Sequence, residues 1–304
     1  MNATRAPLDG FAVMTMIALT ALWGFQQVAI KLAASSISLV AQGALRSVIA
    51  ALLVLLWARW RGIALWKRDG TLGAGLLAGL LFGSEFALIY AGLAYTTASR
   101  MVVFVYLAPC LTALLLSLFV PGERLSRVQW AGVAVAFAGI AWAFADGFRT
   151  GRATLVGDAF GVLAAVGWAA TTVLIRATRL ARIAATKVLF YQLAVSAAVL
   201  PVVSLMLSEP GIVRWTPIAV ASIAFQSIVV AFASYLTWFW LLTRYLAGRL
   251  SVFTFLAPLF GVAFGHLVLG DRITAGFLAA AALVGVGIAL VNMPQSPAAR
   301  PGSA

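Results

Sequence analysis

Acid is what this sequence holds least of. Its 304 residues include 8 Asp and Glu against 21 Lys and Arg, with one cysteine and one histidine. The lone Cys110 excludes an internal disulfide, and the lone His266 leaves too few ligands for a protein-only zinc site. No G-x-x-x-x-G-K-[ST] loop is present, so ATP drive is not encoded here. No H-E-x-x-H or D-x-D cluster is present either, which argues against metal-assisted hydrolysis. Charged residues make up 10% of the chain, too few to cover a water-soluble fold of this length.

What is present is apolar: 63% hydrophobic residues and a mean hydropathy of +1.05. Such a chain uses lipid as its solvent, where backbone polar groups must be satisfied internally. The apolar runs are continuous and do not alternate, which selects helices over a barrel. Ten spans are expected, over 11–31, 37–58, 71–93, 97–119, 127–145, 154–176, 185–207, 217–243, 248–269 and 274–292. At 1.5 Å per residue each crosses a core of about 30 Å. Arg5 followed by the run from Phe11 has the outline of a signal peptide. The run continues to Lys31 without a small-residue cleavage site, so it reads as mature protein.

The net charge of +13 would suggest nucleic acid in a soluble protein, but here the basic residues lie scattered in short connections. There they set orientation. Fourteen of them fall on one side of the expected spans and six on the other, with Arg46 inside a span. Both termini are therefore expected on the cytoplasmic side.

The chain also repeats itself. Val103-Phe104-Val105-Tyr106-Leu107-Ala108-Pro109 returns as Val252-Phe253-Thr254-Phe255-Leu256-Ala257-Pro258. An apolar run and a charged turn follow each copy, Gly122-Glu123-Arg124-Leu125 and Gly270-Asp271-Arg272-Ile273. Trp23 precedes Lys31 by eight positions as Trp168 precedes Arg176, and Gly139-Ile140-Ala141 meets Gly287-Ile288-Ala289. The reading is five helices twice, residues 1–148 and 149–292, with 293–304 as a disordered cytoplasmic tail. Five is odd, so the second copy enters the membrane from the opposite side.

Two five-helix copies, each with an apolar-L-A-P fourth helix, a G-[ED]-R-[LI] turn and a glycine-rich fifth helix, resemble the EamA family of the drug/metabolite transporter (DMT) superfamily. The likeness covers about residues 11–292. It implies an all-α integral membrane protein of ten transmembrane helices in two inverted five-helix repeats. It further implies a central cavity lined mainly by helices 1, 3, 4, 6, 8 and 9, and transport of small metabolites, mostly export. The second turn carries Asp271 where many relatives have glutamate.

Glu85 is the most informative single residue. A mid-span carboxyl costs at least ~2.5–3.5 kcal/mol in lipid, so it faces protein or water. Two readings stand: a proton-coupling or substrate-ammonium group, or one half of a structural ion pair with Arg46. Glu85 aligns with Ser234 in the second copy, so the charge is no part of the shared scaffold. Arg46 is the candidate for a substrate carboxylate, or a structural anchor. Trp23 and Gln27 share a face of span 1, and Trp168 and Thr172 are their counterparts in span 6. Tyr106, Tyr235, Trp238 and Phe255 complete the candidate lining, each with core packing as the plainer alternative. Pro109 and Pro258 are expected inside their helices near mid-membrane, as static kinks lining the cavity. Small residues at Gly132, Ala136 and Gly139 and at Ala280, Val284 and Gly287 serve either packing between the copies or dimerisation.

Together these readings describe a secondary transporter of the bacterial inner membrane, multi-pass, exporting an amino acid or hydrophobic drug-like compound by alternating access. An uncoupled facilitator and a membrane-embedded enzyme acting on lipid are the alternatives. Its partners are a small-molecule substrate and the lipid bilayer, as monomer or homodimer, with no cofactor, metal or nucleic acid.

Overall fold

In a computed structural model the structure describes residues 9–119, 125–245, 250 and 252–293, and most of these are helical. The first charged turn, Gly122-Glu123-Arg124, and the tail from 294 lie outside these. The long helices are α1 (Gly10–Ala33), α2 (Leu39–Trp60), α3 (Leu72–Gly92), α6 (Arg127–Thr150), α7 (Arg152–Ala177) and α8 (Ala185–Met206). Shorter helices are α4 (Ala98–Val105), α5 (Ala108–Phe119), α9 (Pro217–Ala224), α10 (Tyr235–Arg244), α11 (Leu256–Leu269) and α12 (Ala275–Val291). A π-helix, Phe225–Ser234, joins α9 to α10, and a 3₁₀ turn, Val252–Phe255, leads into α11.

Among the described residues seven segments are long and apolar enough to cross a membrane, counting Ala98–Phe119 and Pro217–Leu241 as single spans. Phe253–Leu269 and Ala275–Val291 are shorter apolar helices. The segment expected over 127–145 is a helix of 24 residues running on to Thr150. Around the perimeter large side chains are bare, among them Leu52, Leu56, Leu72, Leu76, Leu205 and Leu267. A belt of exposed aliphatics on this scale marks a lipid-facing surface.

The most extensive helix pairings join the two halves of the chain. They are α6 with α12, α3 with α7, α2 with α8, α1 with α11, and α3 with α8. Exchanging the halves maps the first and third onto themselves and each of the others onto a further pairing in the fold. The α1–α11 pair exchanges with α7–α5, and the α3–α7 pair with that between α1 and the α9–π segment. The duplicated sequence thus folds into a duplicated set of contacts.

The small residues explain how close these pairs come. A Cβ on Gly132 would sit 2.9 Å from the Gly287 carbonyl, and one on Gly287 would sit 2.6 Å from the Ala136 amide nitrogen. A Cβ on Gly139 would meet the Ala280 carbonyl at 2.8 Å. Of the two roles open to this stripe, the fold uses it for packing α6 on α12 within one chain.

Both prolines occupy a different position from the one expected. The fourth segment breaks at Tyr106 and Leu107, so Pro109 is the second residue of α5. Pro258 is the third residue of α11, just after the 3₁₀ turn. In a first helical turn no backbone N–H is needed, so the Pro109 ring displaces no bond of α5, while Pro258 lies where the winding changes from 3₁₀ to α without a gap. At Pro109 the signal read as a mid-helix kink is a helix restart.

Candidate functional site

Where α2, α3 and the π-helix meet, the interior is polar. Tyr90 Oη donates to Gln226 Oε1 at 2.5 Å. Gln226 Nε2 donates to Gln42 Oε1 at 3.0 Å and to Ser222 Oγ at 2.9 Å. Gln42 Nε2 in turn donates to the carbonyls of Ile30 and Ile37. Ser222 Oγ donates to the Ala29 carbonyl at 2.6 Å. Each of these buried amides has its partners, so this chain ties α1, α2 and α3 to the second half as a structural network.

One turn along α2 the balance changes. Arg46 is fully buried. Its guanidinium lies 4.0 Å from the Phe86 ring centroid, and its Nη2 donates to Tyr235 Oη at a long 3.3 Å. Its Nε and Nη1, together with Ser47 Oγ and Gln27 Oε1, are buried without a protein partner. An unsatisfied buried group costs about 1–3 kcal/mol, and more when charged.

Glu85 lies beside this group on α3, 5% exposed and backed by Gly167 of α7, where a Cβ would sit 3.3 Å from its own. The expected ion pair is not formed: Arg46 and Glu85 do not approach within 4.0 Å. The reason is geometric, since the guanidinium is committed to the Phe86 face and the Tyr235 hydroxyl. Arg46, Tyr106 and Tyr235 are the electrostatic neighbours of the carboxyl. A carboxyl and a guanidinium thus face one interior without closing on each other.

The remaining candidates divide. Trp23 Nε1 donates to Ser234 Oγ at 2.9 Å, and its ring stands edge-on to Trp238 at 5.9 Å. Tyr106 meets Trp168 edge-on at 5.5 Å. Thr172 Oγ1 is turned back onto the Trp168 carbonyl at 3.0 Å. Phe255 is half-buried against the main core. His266 is exposed, and Cys110 is fully buried. Among the described residues no three His, Cys, Asp or Glu side chains converge as a metal site requires.

Three features have little sequence signal. Tyr90 reads as one more apolar residue of span 3, although it anchors the amide network. The π-helix has no breaker to announce it, yet it carries Gln226, Ser227 and Ser234 inward. Such bulges re-aim side chains and recur at functional sites. The third is a buried ion cluster at one end of the bundle. Arg100 is held by Asp158 through Nε at 3.1 Å and Nη2 at 2.5 Å, by Asp146 through Nη1 at 3.2 Å, and by the Ala143 carbonyl. By position alone Arg100 reads as a loop charge. Asp271 of the second charged turn accepts from the Ser99 amide and hydroxyl, capping the start of α4 from the other half.

Comparison with known proteins agrees with this architecture. The model of the EamA-like transporter family matches twice, over residues 10–145 and 155–293. The uncharacterized transporter YvbV of Bacillus subtilis is 27% identical over 66% of this chain and 65% of its own length. YoaV of the same organism, also an uncharacterized transporter, is 23% identical over 91% of this chain and 94% of its own. A probable amino-acid metabolite efflux pump of Salmonella typhimurium is 23% identical, covering 92% of this chain and 93% of that protein. A solved crystal structure shares the fold with a TM-score of 0.64 at 21% identity, covering 93% of this chain and 98% of that one.

Proposed function

The chain belongs to the EamA-like transporter family, and from that premise we propose that it is a ten-span secondary transporter exporting a small zwitterionic metabolite of the amino-acid class. The observation carrying this reading is Arg46, fully buried with Nε and Nη1 unpartnered, beside a Glu85 carboxyl that no ion pair closes. A substrate carboxylate answers one of the unpartnered donors on the guanidinium, and a substrate ammonium answers Glu85. Tyr106, Trp168 and Tyr235 offer aromatic surface for an apolar side chain. Two relatives are named probable amino-acid metabolite efflux pumps, which supports the substrate class.

The halves, 1–148 and 149–292, rock about this centre as inverted repeats, with both termini cytoplasmic in a bacterial inner membrane. The exchange symmetry of the helix pairings supports that motion, because each opening of one face has a counterpart on the other. Glu85 serves as the proton-coupling group: protonation removes its claim on the ammonium and releases the substrate.

Counterflow of radiolabelled amino acids in proteoliposomes tests the reading. Arg46→Gln removes the charged donor to the carboxylate and raises KM by about 10- to 100-fold, the value of one charge-assisted hydrogen bond. Glu85→Gln abolishes the pH dependence of exchange. Unchanged KM in the first variant sinks the zwitterion site, and unchanged pH dependence in the second sinks the coupling.

A further inference from the structure

At one end of the bundle, where α7 leaves its span, the chain turns through Thr178 into a 3₁₀ turn, Arg179–Arg182. Between this turn and the start of α3 lies a cavity of about 500 Å³. Gly70, Ala74, Arg176, Thr178, Arg179 and Arg182 line it. We propose that this cavity is a binding site for the phosphodiester headgroup of an anionic phospholipid, distinct from the transport site.

Four observations converge. First, Arg179 and Arg182 have no carboxylate within ion-pair distance among the described residues. The nearby acid, Asp69, is committed elsewhere: Oδ2 accepts from Lys187 Nζ at 2.9 Å and Oδ1 from the Thr71 hydroxyl at 2.5 Å. Second, that same commitment leaves α3 without a side-chain cap at its N-terminus, so its first amides and the positive end of its dipole are available beside the arginines. Third, Gly70 has φ of +71°, and a Cβ there would lie 2.9 Å from Arg179 Nη1. The backbone is shaped so that a guanidinium can lie across it. Fourth, one turn above Ala74 on the same side of α3 the surface is lipid-facing: Leu77 is 47% exposed.

Orientation alone explains positive charge on this face, but it does not require arginines converging on one concavity. A headgroup in the cavity sets its phosphate against the guanidiniums and lays its acyl chains along α3 past Leu77. The volume exceeds what a bare phosphate fills and suits a glycerol-phosphate unit.

Native mass spectrometry of the full chain released from mixed micelles tests this, with phosphatidylglycerol and phosphatidylcholine at equal concentration. The expected result is one retained phosphatidylglycerol, at least tenfold over phosphatidylcholine. Arg179→Gln with Arg182→Gln removes that preference, and the double Lys variant restores most of it. The exposed turn makes a folding defect visible separately, as loss of the monodisperse elution peak. Soluble glycerol phosphate added at millimolar concentration leaves the lipid bound if the acyl chains contribute. Displacement by it would overturn the lipid assignment in favour of a soluble phosphate ester. Equal retention of both lipids, or a preference unchanged in the Gln variant, overturns the site itself.

Discussion

Arg100 and Asp158 form a buried, two-pronged ion pair between α4 and α7, with Asp158 wholly inaccessible. Arg100 belongs to the first half of the chain and Asp158 to the second. Thr96 adds a hydrogen bond to Asp158 at 2.9 Å, and Thr274 of the second half holds Asp146 at 2.9 Å. The cluster therefore latches the halves together at one end. Removing Arg100 leaves Asp158 charged, buried and without a counter-ion, which costs far more than the pair itself contributes.

Arg100→Met is expected to destabilise the folded protein by about 3–5 kcal/mol, because Asp158 is left buried without a counter-ion. Replacing both partners, Arg100→Met with Asp158→Leu, is expected to recover most of that loss. Denaturant-free thermal unfolding in detergent reads both. Additive losses in the double variant would show that the two residues do not act as a pair.

The α6–α12 seam makes a steric prediction. Gly287 has no room for a Cβ against Ala136 and the Gly132 carbonyl. Gly287→Leu forces the helices apart and is expected to destabilise by about 1–3 kcal/mol or more. Gly285 of the same helix has nothing within 4 Å of its Cβ position, so Gly285→Ala is expected to be neutral or slightly stabilising. The contrast between two glycines two residues apart is read by the unfolding midpoint.

Acid sensitivity follows from the connection between α2 and α3. Asp69 has its carboxyl lowered from 3.8 to about 2, first by the hydrogen bond from Lys187 and then by that from Thr71. A depressed carboxyl contributes stability that is full above its unfolded value and lost as pH falls towards 2. Its side chain is 21% exposed, so solvent screening keeps the effect modest. Asp69→Asn is expected to flatten the stability profile between about pH 4 and 2 and leave it unchanged in shape above pH 5. A wild-type-like slope in that window removes Asp69 as its source.

The π-helix yields a fourth expectation. Ser234 accepts from Trp23 Nε1 and donates to the Val230 carbonyl at 2.6 Å. Ser234→Ala leaves the Trp23 indole N–H unpaired and is expected to cost about 1–3 kcal/mol. The paired variant Trp23→Phe with Ser234→Ala is expected to cost less than the sum of the two single changes. Thermal unfolding of the four proteins gives the coupling.

The helices, their duplication and the close α6–α12 seam were legible because each rests on local pattern. Continuous apolarity, small residues four apart and a motif repeated at 149 residues survive without knowledge of neighbours. Arg100 was not legible as a core residue. Position in a short connection and position in a buried cluster look alike until α6 and α7 supply Asp146 and Asp158. Glu85 and Arg46 were legible as buried charges, while their separation was not, because the Phe86 ring and the Tyr235 hydroxyl decide where the guanidinium rests.

By itself the sequence determined a membrane-embedded, helical, twice-repeated chain, because lipid forces every backbone group to be satisfied within its own segment and leaves composition few options. Only the tertiary structure decided which charges meet. Ion pairs such as Arg100 with Asp158, 58 residues apart, depend on contacts between separate segments, and no local periodicity encodes such distances.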